Sequence, residues 1–562
     1  MTAGLEHTWV AHYADGVPAE IDPPTGSLVD LLTEAVATYG PRPALEFFGA
    51  EVTYAELGRR VELAAEGLRL LGVRAGDRVA LVLPNCPEHI VAFYAVLRLG
   101  AVVVEHNPLY TPTEMAHQFG DHGATVAVAW DKVAGAVTQL PGLQHRVPHV
   151  VAVDITASMP WAKRVALRLP VRRARELRAQ LTAPSTGTTP WSDLLAHGPL
   201  DPSVPGPSVD DLAAIQYTSG TTGHPKGAML SHGNLLANAA QGRAWVPGMR
   251  PGQEVVYAVL PMFHAYGLTL CLTFAMSTGA RLVLFPKFDV DLVLAAAKKH
   301  PPTFLPAVPP IYQRLATAAR ERGVDLTATR FAISGAMALP RETLELWEEV
   351  TGGLLVEGYG LTETSPVAIG NPIGSERRPG AVGVPFPSTD IRVVDPDDPT
   401  RDRPVGERGE LLIRGPQVFG GYWGKPEETS AALLDGGWFR TGDIVVVDAD
   451  GFVSVVDRLK ELIITGGFNV MPSEVEAVVR TVPGVTDAAV VGLPRPDGSE
   501  DVVAVVTTEP GAEVDVEDVR ARCRSDLAAY KVPRRVLVVD ELPRSQIGKV
   551  LRKQVRDSLI EG

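Results

Sequence analysis

Thr218-Ser219-Gly220-Thr221-Thr222-Gly223-His224-Pro225-Lys226-Gly227 is the stretch on which the reading of this chain turns. It follows Ile215-Gln216-Tyr217, which reads as the end of a strand. Its glycines let the backbone approach a ligand closely and take up conformations closed to other residues. Backbone N–H groups and clustered hydroxyls then point at an anion, and Lys226 adds positive charge. The order is not Gly-x-x-x-x-Gly-Lys-Ser/Thr, because Lys226 stands between Pro225 and Gly227. A Gly/Thr-rich turn with no ligand is the plainer alternative, and an unbroken run of this composition makes it the weaker one. An apolar, helix-like run is expected after Gly227.

Upstream of this loop, helical and strand patterns alternate. Leu28–Tyr39 has apolar residues at helical spacing, and Thr53, Tyr54 and Glu56 open a second helix that runs through Leu68, Leu70 and Leu71. Residues 78–83 form a short apolar run closed by Pro84-Asn85, residues 88–99 are helical again, and residues 101–104 are strand-like. Such alternation predicts an α/β fold with a parallel sheet and helices on its faces. Residues 182–207, rich in Pro, Ser, Thr and Gly, are expected to form a surface linker. The alternation is expected to resume after it and run to about Val456.

At 562 residues the chain is too long for one hydrophobic core, so at least two domains are expected. A boundary is expected near residues 458–460, after which Leu462-Ile463-Ile464 and a Gly-Gly pair open a compact final segment. The net charge of −14 argues against a nucleic-acid partner, since the phosphate backbone would repel it. Cys86, Cys271 and Cys523 are far apart and form no CxxC pair, which suggests neither a disulfide framework nor a zinc site and fits a reducing compartment. Residues 1–10 carry Glu6 and His7 and lack the apolar core of a signal peptide, and no run of about 18 uncharged apolar residues is present. A cytoplasmic location is expected.

Residues 161–178 break the acidic trend. Lys163, Arg164, Arg168, Arg172, Arg173, Arg175 and Arg178 lie among Trp161, Val165, Leu167 and Leu169. Two readings stay open: a solvated helix face, or a basic amphipathic patch resting on anionic lipid at the inner face of the membrane. Pro170 argues against one continuous helix.

Further motifs follow in order: Pro261-Met262-Phe263-His264-Ala265-Tyr266-Gly267, Ser334-Gly335-Ala336-Met337, Glu357-Gly358-Tyr359-Gly360-Leu361-Thr362-Glu363, Trp438-Phe439-Arg440-Thr441-Gly442-Asp443, Asp457-Arg458-Leu459-Lys460, Thr465-Gly466-Gly467-Phe468-Asn469, and Leu542-Pro543-Arg544-Ser545-Gln546-Ile547-Gly548-Lys549. Taken singly, His264 reads as a satisfied core residue, Tyr359 as packing, Glu363 as a surface charge and Lys549 as a solvated lysine. With the loop at 217–227 the series resembles the adenylate-forming superfamily, which includes acyl-CoA synthetases, firefly luciferase and the adenylation domains of peptide synthetases. The resemblance covers nearly the whole chain, from about Leu28 to Arg552.

What the resemblance implies is specific. The fold would be a large body over residues 1–457, a hinge at residues 458–460 with Lys460 as pivot, and a small mobile α+β cap over residues 461–562. ATP would be held by Thr218, Ser219, Gly220, Thr221, Thr222, Gly223 and Lys226, with Gly335, Ala336, Glu357, Gly358, Tyr359 and Gly360 around the adenine and acyl carboxylate. Asp443 and Arg458 would hold the ribose, where an ionised carboxylate accepts from vicinal hydroxyls. Thr222 and Glu363 would bind Mg2+, a hard cation suited to oxygen ligands. His264 would sit beside the acyl pocket, Thr362 near the α-phosphate, and Lys549 would act in adenylation. Gly466, Gly467 and Phe468 would line the channel for coenzyme A after the cap turns.

The segments around residues 355–366, Gly415-Pro416-Gln417-Val418 and 466–470, and the basic insert at residues 161–178, are particularly similar to those of bacterial long-chain fatty-acid–CoA ligases. The implied reaction is activation of a fatty acid by ATP through an acyl-adenylate, then transfer to CoA; a homodimer is compatible with it. Leu268 departs from the tryptophan gate that some of these ligases carry near the His264 segment. Two other readings stand beside it: an adenylating enzyme that takes a medium-chain or aromatic acid or loads a carrier protein, and a nucleotide-regulated binding protein without chemistry. No carrier domain is expected after Gly562.

Overall fold

A computed structural model describes residues 7–143, 147–218, 225–465, 468–495, 500–509, 511–512, 514–545 and 548–561, with the side chains of Lys460, Phe468, Asn469 and Glu561 outside the description. The early helices form where local chemistry places them. Ser27 and Asp30 cap each other's backbone at the start of the helix Leu28–Tyr39, which buries Leu28, Leu32 and Ala35. Thr53 accepts from the Glu56 N–H and starts the helix Tyr54–Leu70. The helix Pro87–Arg98 is buried on every face, Arg98 excepted, as befits a helix enclosed by the core.

Among the described residues the expected single parallel sheet is two large sheets. One runs Thr189–Pro190, His149–Val153, Val126–Trp130, Arg78–Val82, Val102–Glu105, Leu212–Thr218 and Lys226–Ser231, parallel except for its last pair. The other is parallel through Leu354–Gly360, Phe331–Ser334, Phe304–Ala307, Val255–Ala258, Arg281–Leu284 and Pro43–Phe47, and antiparallel at both ends. One buried cluster holds Val79 and Val103 of the first sheet with Leu45 and Leu282 of the second, so the two sheets share a core.

Three expectations are corrected. The residues after Gly227 are not helical: Lys226–Ser231 is a strand antiparallel to Leu212–Thr218, with Ala228 and Leu230 buried. The helix His232–Trp245 begins only at the Ser231–Asn234 capping box. Residues 182–207 are more than a linker. Thr189–Pro190 joins the sheet edge, and Leu194 and Leu200 are buried because the core needs cover there. The strand–helix alternation stops well before Val456. From Asp390 the chain builds an antiparallel sheet of Asp390–Val394, Gly409–Arg414, Trp438–Val447, Leu433–Leu434 and Val453–Arg458, with Pro426–Ala432 its one helix among the described residues.

The last hundred or so residues pack by themselves. Val485–Pro494, Glu500–Thr508 and Arg535–Val538 form a small sheet, covered by the helices Pro472–Val479, Val516–Asp526 and Arg552–Glu561. Their buried side chains form clusters separate from the large core. A large α/β body with mixed sheets and a small α+β part is therefore the observed architecture.

Candidate active site

The strand Leu354–Gly360 ends at the centre of the site. A Cβ on Gly360 would lie 1.7 Å from the Pro366 carbonyl oxygen, so only glycine lets the chain turn back into Val367–Gly370. The single turn Thr362–Thr364 follows and carries Glu363 inward. Burial raises the Glu363 carboxyl above its ordinary pKa, while the Tyr422 hydroxyl, donating to Oε1 at 2.7 Å, and the nearby Arg458 favour its ionised form. The Phe419 N–H donates to the Glu363 carbonyl at 2.9 Å and fixes the turn.

Asp443 and Arg458 face each other across the antiparallel strands Trp438–Val447 and Val453–Arg458. Arg458 Nε is 2.9 Å from Asp443 Oδ1, and the Tyr359 hydroxyl donates to Asp443 Oδ2 at 2.6 Å. Asp443 is the main reason that Arg458 is held above the ordinary arginine range; Glu461, Tyr359 and Glu363 act in the same sense. Burial, and then the Asp443 charge, push the Tyr359 hydroxyl upward, so it stays protonated and donates.

Lys549 reaches the same field from the small C-terminal part. Its loop is closed by the Ser545 N–H donating to the Lys549 carbonyl at 2.8 Å and by the Lys549 N–H donating to Ser545 Oγ at 3.2 Å. Gly548 has φ +80°, and a Cβ there would lie 3.5 Å from Pro310 of the large body, so the loop rests on that body. Burial first, then Arg458, push the Lys549 amine down to about 8, against the pull of Glu461 and Asp443. A lysine so placed is poised to gain from an arriving polyanion.

Thr218 is the register partner of Lys226, and Lys226 Nζ sits 5.0 Å from the centroid of the Tyr422 ring whose hydroxyl holds Glu363. Ser219, Gly220, Thr221, Thr222 and Gly223, named for the nucleotide and in part the metal, lie outside the described residues, as do Gly466 and Gly467. Phe468 begins the short strand Phe468–Val470, and Lys460 lies in the turn Leu459–Glu461.

A second group lines the neighbouring strand ends. A Cβ on Gly335 would lie 3.1 Å from the Tyr266 ring, which is pinned by its hydroxyl donating to the Ile333 carbonyl at 2.6 Å. Ala336 takes a left-handed φ of +68°. His264 Nδ1 accepts from the Tyr266 N–H at 3.2 Å, and burial pushes the ring down to about 4. The imidazole is therefore neutral near pH 7, with its proton on Nε2. Glu357 is turned to its own backbone surroundings: its oxygens accept from the Leu339 N–H at 3.2 Å and the Gly380 N–H at 3.1 Å. Gly358 packs against Ile333, 3.3 Å from where its Cβ would be.

Among the described residues no cluster of three metal-binding side chains exists. Glu363 still fits a divalent cation, because its buried carboxylate offers hard oxygen to an ion that takes its other ligands from phosphates and water. Reading the sequence missed Tyr422 and Tyr266. The run Gly420-Gly421-Tyr422-Trp423-Gly424 was a signal for the first, since glycines flanking an aromatic mark close backbone approach. Tyr266 lies two residues after His264 in the same apolar motif, and nothing local distinguishes its ring from packing.

Comparison with known proteins accords with this geometry. The AMP-binding enzyme family model matches residues 32–423, and the model for the AMP-binding enzyme C-terminal domain matches residues 474–549. The long-chain-fatty-acid–CoA ligase of Bacillus subtilis (strain 168) is 36% identical over 558 residues, which covers 98% of either chain. A feruloyl-CoA synthase of Amycolatopsis sp is 37% identical over 515 residues, covering 91% of this chain and 95% of its own. The crystal structure of ATP-bound MatB from Rhodopseudomonas palustris superposes with a TM-score of 0.78 at 32% identity, covering 94% of this chain and 98% of that one.

Proposed function

This chain belongs to the AMP-binding enzyme family, and from that premise we propose that it is an ATP-dependent acid–thiol ligase whose acid is a long-chain fatty acid. The observation that carries the reading is the field shared by Asp443, Arg458 and Lys549: the loop of a lysine from the small C-terminal part packs at Gly548 against Pro310 of the large body, and the lysine lies within the electrostatic reach of that body's ion pair.

A carboxylate is a poor electrophile. Its attack on the α-phosphorus of ATP releases pyrophosphate and yields an acyl-adenylate; attack by the CoA thiol then forms the thioester and releases AMP. The first step develops negative charge on phosphate oxygens, and fixed donors aimed there lower its barrier. We assign those donors to the backbone N–H groups and hydroxyls of the loop from Thr218 to Lys226, to Thr362 and to Lys549. Asp443 and Arg458 hold the ribose, the Tyr359 ring lies against adenine, and Gly358, Gly360, Gly335 and Ala336 serve the adenine and acyl carboxylate. Glu357 stiffens that wall, and neutral His264 borders the acyl pocket. Mg2+ on Glu363, with Thr222, would supply charge neutralisation of the nucleotide's phosphates.

The second step needs a different face of the cap. Residues 461–562 turn on the body of residues 1–457 about residues 458–460, Lys460 being the pivot. The turn withdraws Lys549 and brings Gly466, Gly467 and Phe468 to the thiol channel. ATP- and CoA-dependent AMP release, measured across acids from acetate to oleate, tests the reading. Turnover that rises with chain length supports it, and turnover confined to aromatic or short acids replaces the acid. The feruloyl-CoA synthase relative, and Leu268 in place of a gating tryptophan, keep an aromatic acid as the second reading. Activity with a carrier protein and none with CoA would replace the acceptor.

The basic insert supports peripheral residence on the cytoplasmic leaflet. It forms two short helices, Trp161–Ala166 and Arg172–Leu181, on either side of Pro170. Trp161 is 77% exposed, and Val165, Leu169, Val171 and Leu177 are exposed beside the basic side chains. Apolar wedges among cations suit the headgroup region of an anionic membrane. No helix of the described residues is long and apolar enough to cross one.

A further inference from the structure

The helix Pro472–Val479 of the small part starts at Met471, whose side chain caps nothing. Its capping group comes from the other side of the expected pivot. Asp457, near the end of the body strand Val453–Arg458, accepts from the Ser473 N–H at 3.1 Å through Oδ2, and the Ser473 hydroxyl lies 2.7 Å from that same oxygen and 2.7 Å from the Val456 carbonyl. A carboxylate at a helix N-terminus meets free N–H groups and the positive end of the helix dipole.

Arg552, three residues beyond Lys549, ties this junction to the lysine loop. Its Nε and Nη2 are 2.7 Å from Glu476 Oε1 and Oε2, its Nη1 meets Glu461, and the same Nη1 is 3.9 Å from Asp457 Oδ1. Glu461, Glu476 and Arg552 all lie beyond residue 460 and would travel together. Asp457 lies before it, on a strand paired into the body. A turn about residues 458–460 therefore parts Asp457 from Ser473 and Arg552 and leaves the Arg552–Glu476 pair intact.

We propose that Asp457 and Ser473, backed by Arg552, form a latch that holds the cap in the orientation presenting Lys549, and that this latch must open before CoA transfer. The inference rests on the proposed turn of the cap. Asp457 and Ser473 are positioning residues: neither touches a reacting atom, and both act through where they leave Lys549. Because the Asp457 carboxylate is buried, losing Ser473 leaves it with fewer donors in the latched orientation and costs it nothing where water replaces them.

Ser473→Ala tests the latch in the full-length enzyme. Pyrophosphate release from acid and ATP should slow about tenfold, the worth of one or two hydrogen bonds to a charged group. Thioester formation from supplied acyl-adenylate and CoA should stay as fast or quicken. Ser473→Thr, which keeps the hydroxyl, should restore the first half, and Asp457→Asn should shift the two halves in the same sense as Ser473→Ala. Distances between labels on exposed Glu345 of the body and exposed Asp518 of the cap should move toward the turned population in Ser473→Ala. Equal slowing of both halves, or no change in either half and in the label distances, would overturn the latch. A parent enzyme that makes no acyl-CoA ends the ligase reading and the latch with it. Normal turnover in Lys460→Pro ends the turning cap. The latch alone falls when the parent enzyme makes acyl-CoA, Lys460→Pro slows CoA transfer, and the Ser473→Ala pattern is missing.

Discussion

The Tyr359 hydroxyl donates to Asp443 at 2.6 Å, and Arg458 meets the other oxygen of the same carboxylate at 2.9 Å. One aspartate thus orients both an aromatic ring and a cation. Asp443→Asn removes the charge that pairs with Arg458, and kcat/KM for ATP in pyrophosphate release should fall about hundredfold, or ~2.7 kcal/mol. Tyr359→Phe keeps the ring and loses one hydrogen bond, so its loss should be about tenfold. Steady-state titration of ATP at saturating acid separates the two.

Lys549 sets a pH limb. Its amine is pushed down to about 8 by burial and by Arg458. The charged form, which phosphates attract, is present below that pH and lost above it. The kcat/KM for ATP in the first half-reaction should therefore fall as pH rises through about 8. At saturating ATP the limb should move upward, because the bound polyanion favours the ammonium. Lys549→Ala should abolish adenylation and leave thioester formation from supplied acyl-adenylate; equal loss of both halves would remove the assignment.

Lys460→Pro fixes φ in the turn Leu459–Glu461 and removes a backbone donor. Pyrophosphate release should survive while CoA transfer slows at least tenfold. Rapid-quench measurement of the two halves reads this directly.

Gly360 bears on stability. Its Cβ position is 1.7 Å from the Pro366 carbonyl, whereas nothing lies within 4 Å of a Cβ on Gly374. Gly360→Ala should cost about 3 kcal/mol or more, and Gly374→Ala about 0.5 kcal/mol or less, by denaturant unfolding.

The basic helices should answer to lipid charge. Arg172→Glu, Arg173→Glu and Arg175→Glu together should weaken binding to anionic vesicles, and binding of the parent should fall as salt is raised. Unchanged or salt-independent binding would leave the solvated face.

Part of this architecture is written locally. The helix Leu28–Tyr39 and its Ser27–Asp30 cap, the strand Arg78–Val82, and the order of glycine-rich motifs need only neighbours along the chain. The break of the basic segment at Pro170 is of the same kind, since proline acts on its own turn. Lys226–Ser231 is different. A short apolar stretch reads as helix or strand with equal ease, and the pairing of Thr218 with Lys226 decides for the strand. The antiparallel sheet from Asp390 onward was hidden for the same reason, because partners such as Asp443 and Arg458 are joined by register rather than by spacing.

Which groups are available is legible along the chain: a phosphate-type loop, an acid motif around Glu363, an Asp–Arg pair of segments and a late lysine. Who meets whom is settled by packing. Tyr422 became the donor to Glu363, Glu357 turned to the backbone of Leu339 and Gly380, and Asp457 became the cap of a helix that starts beyond the pivot. Propensity and spacing act over a few residues, whereas burial and electrostatic fields act through space, between side chains that the chain keeps tens to hundreds of positions apart.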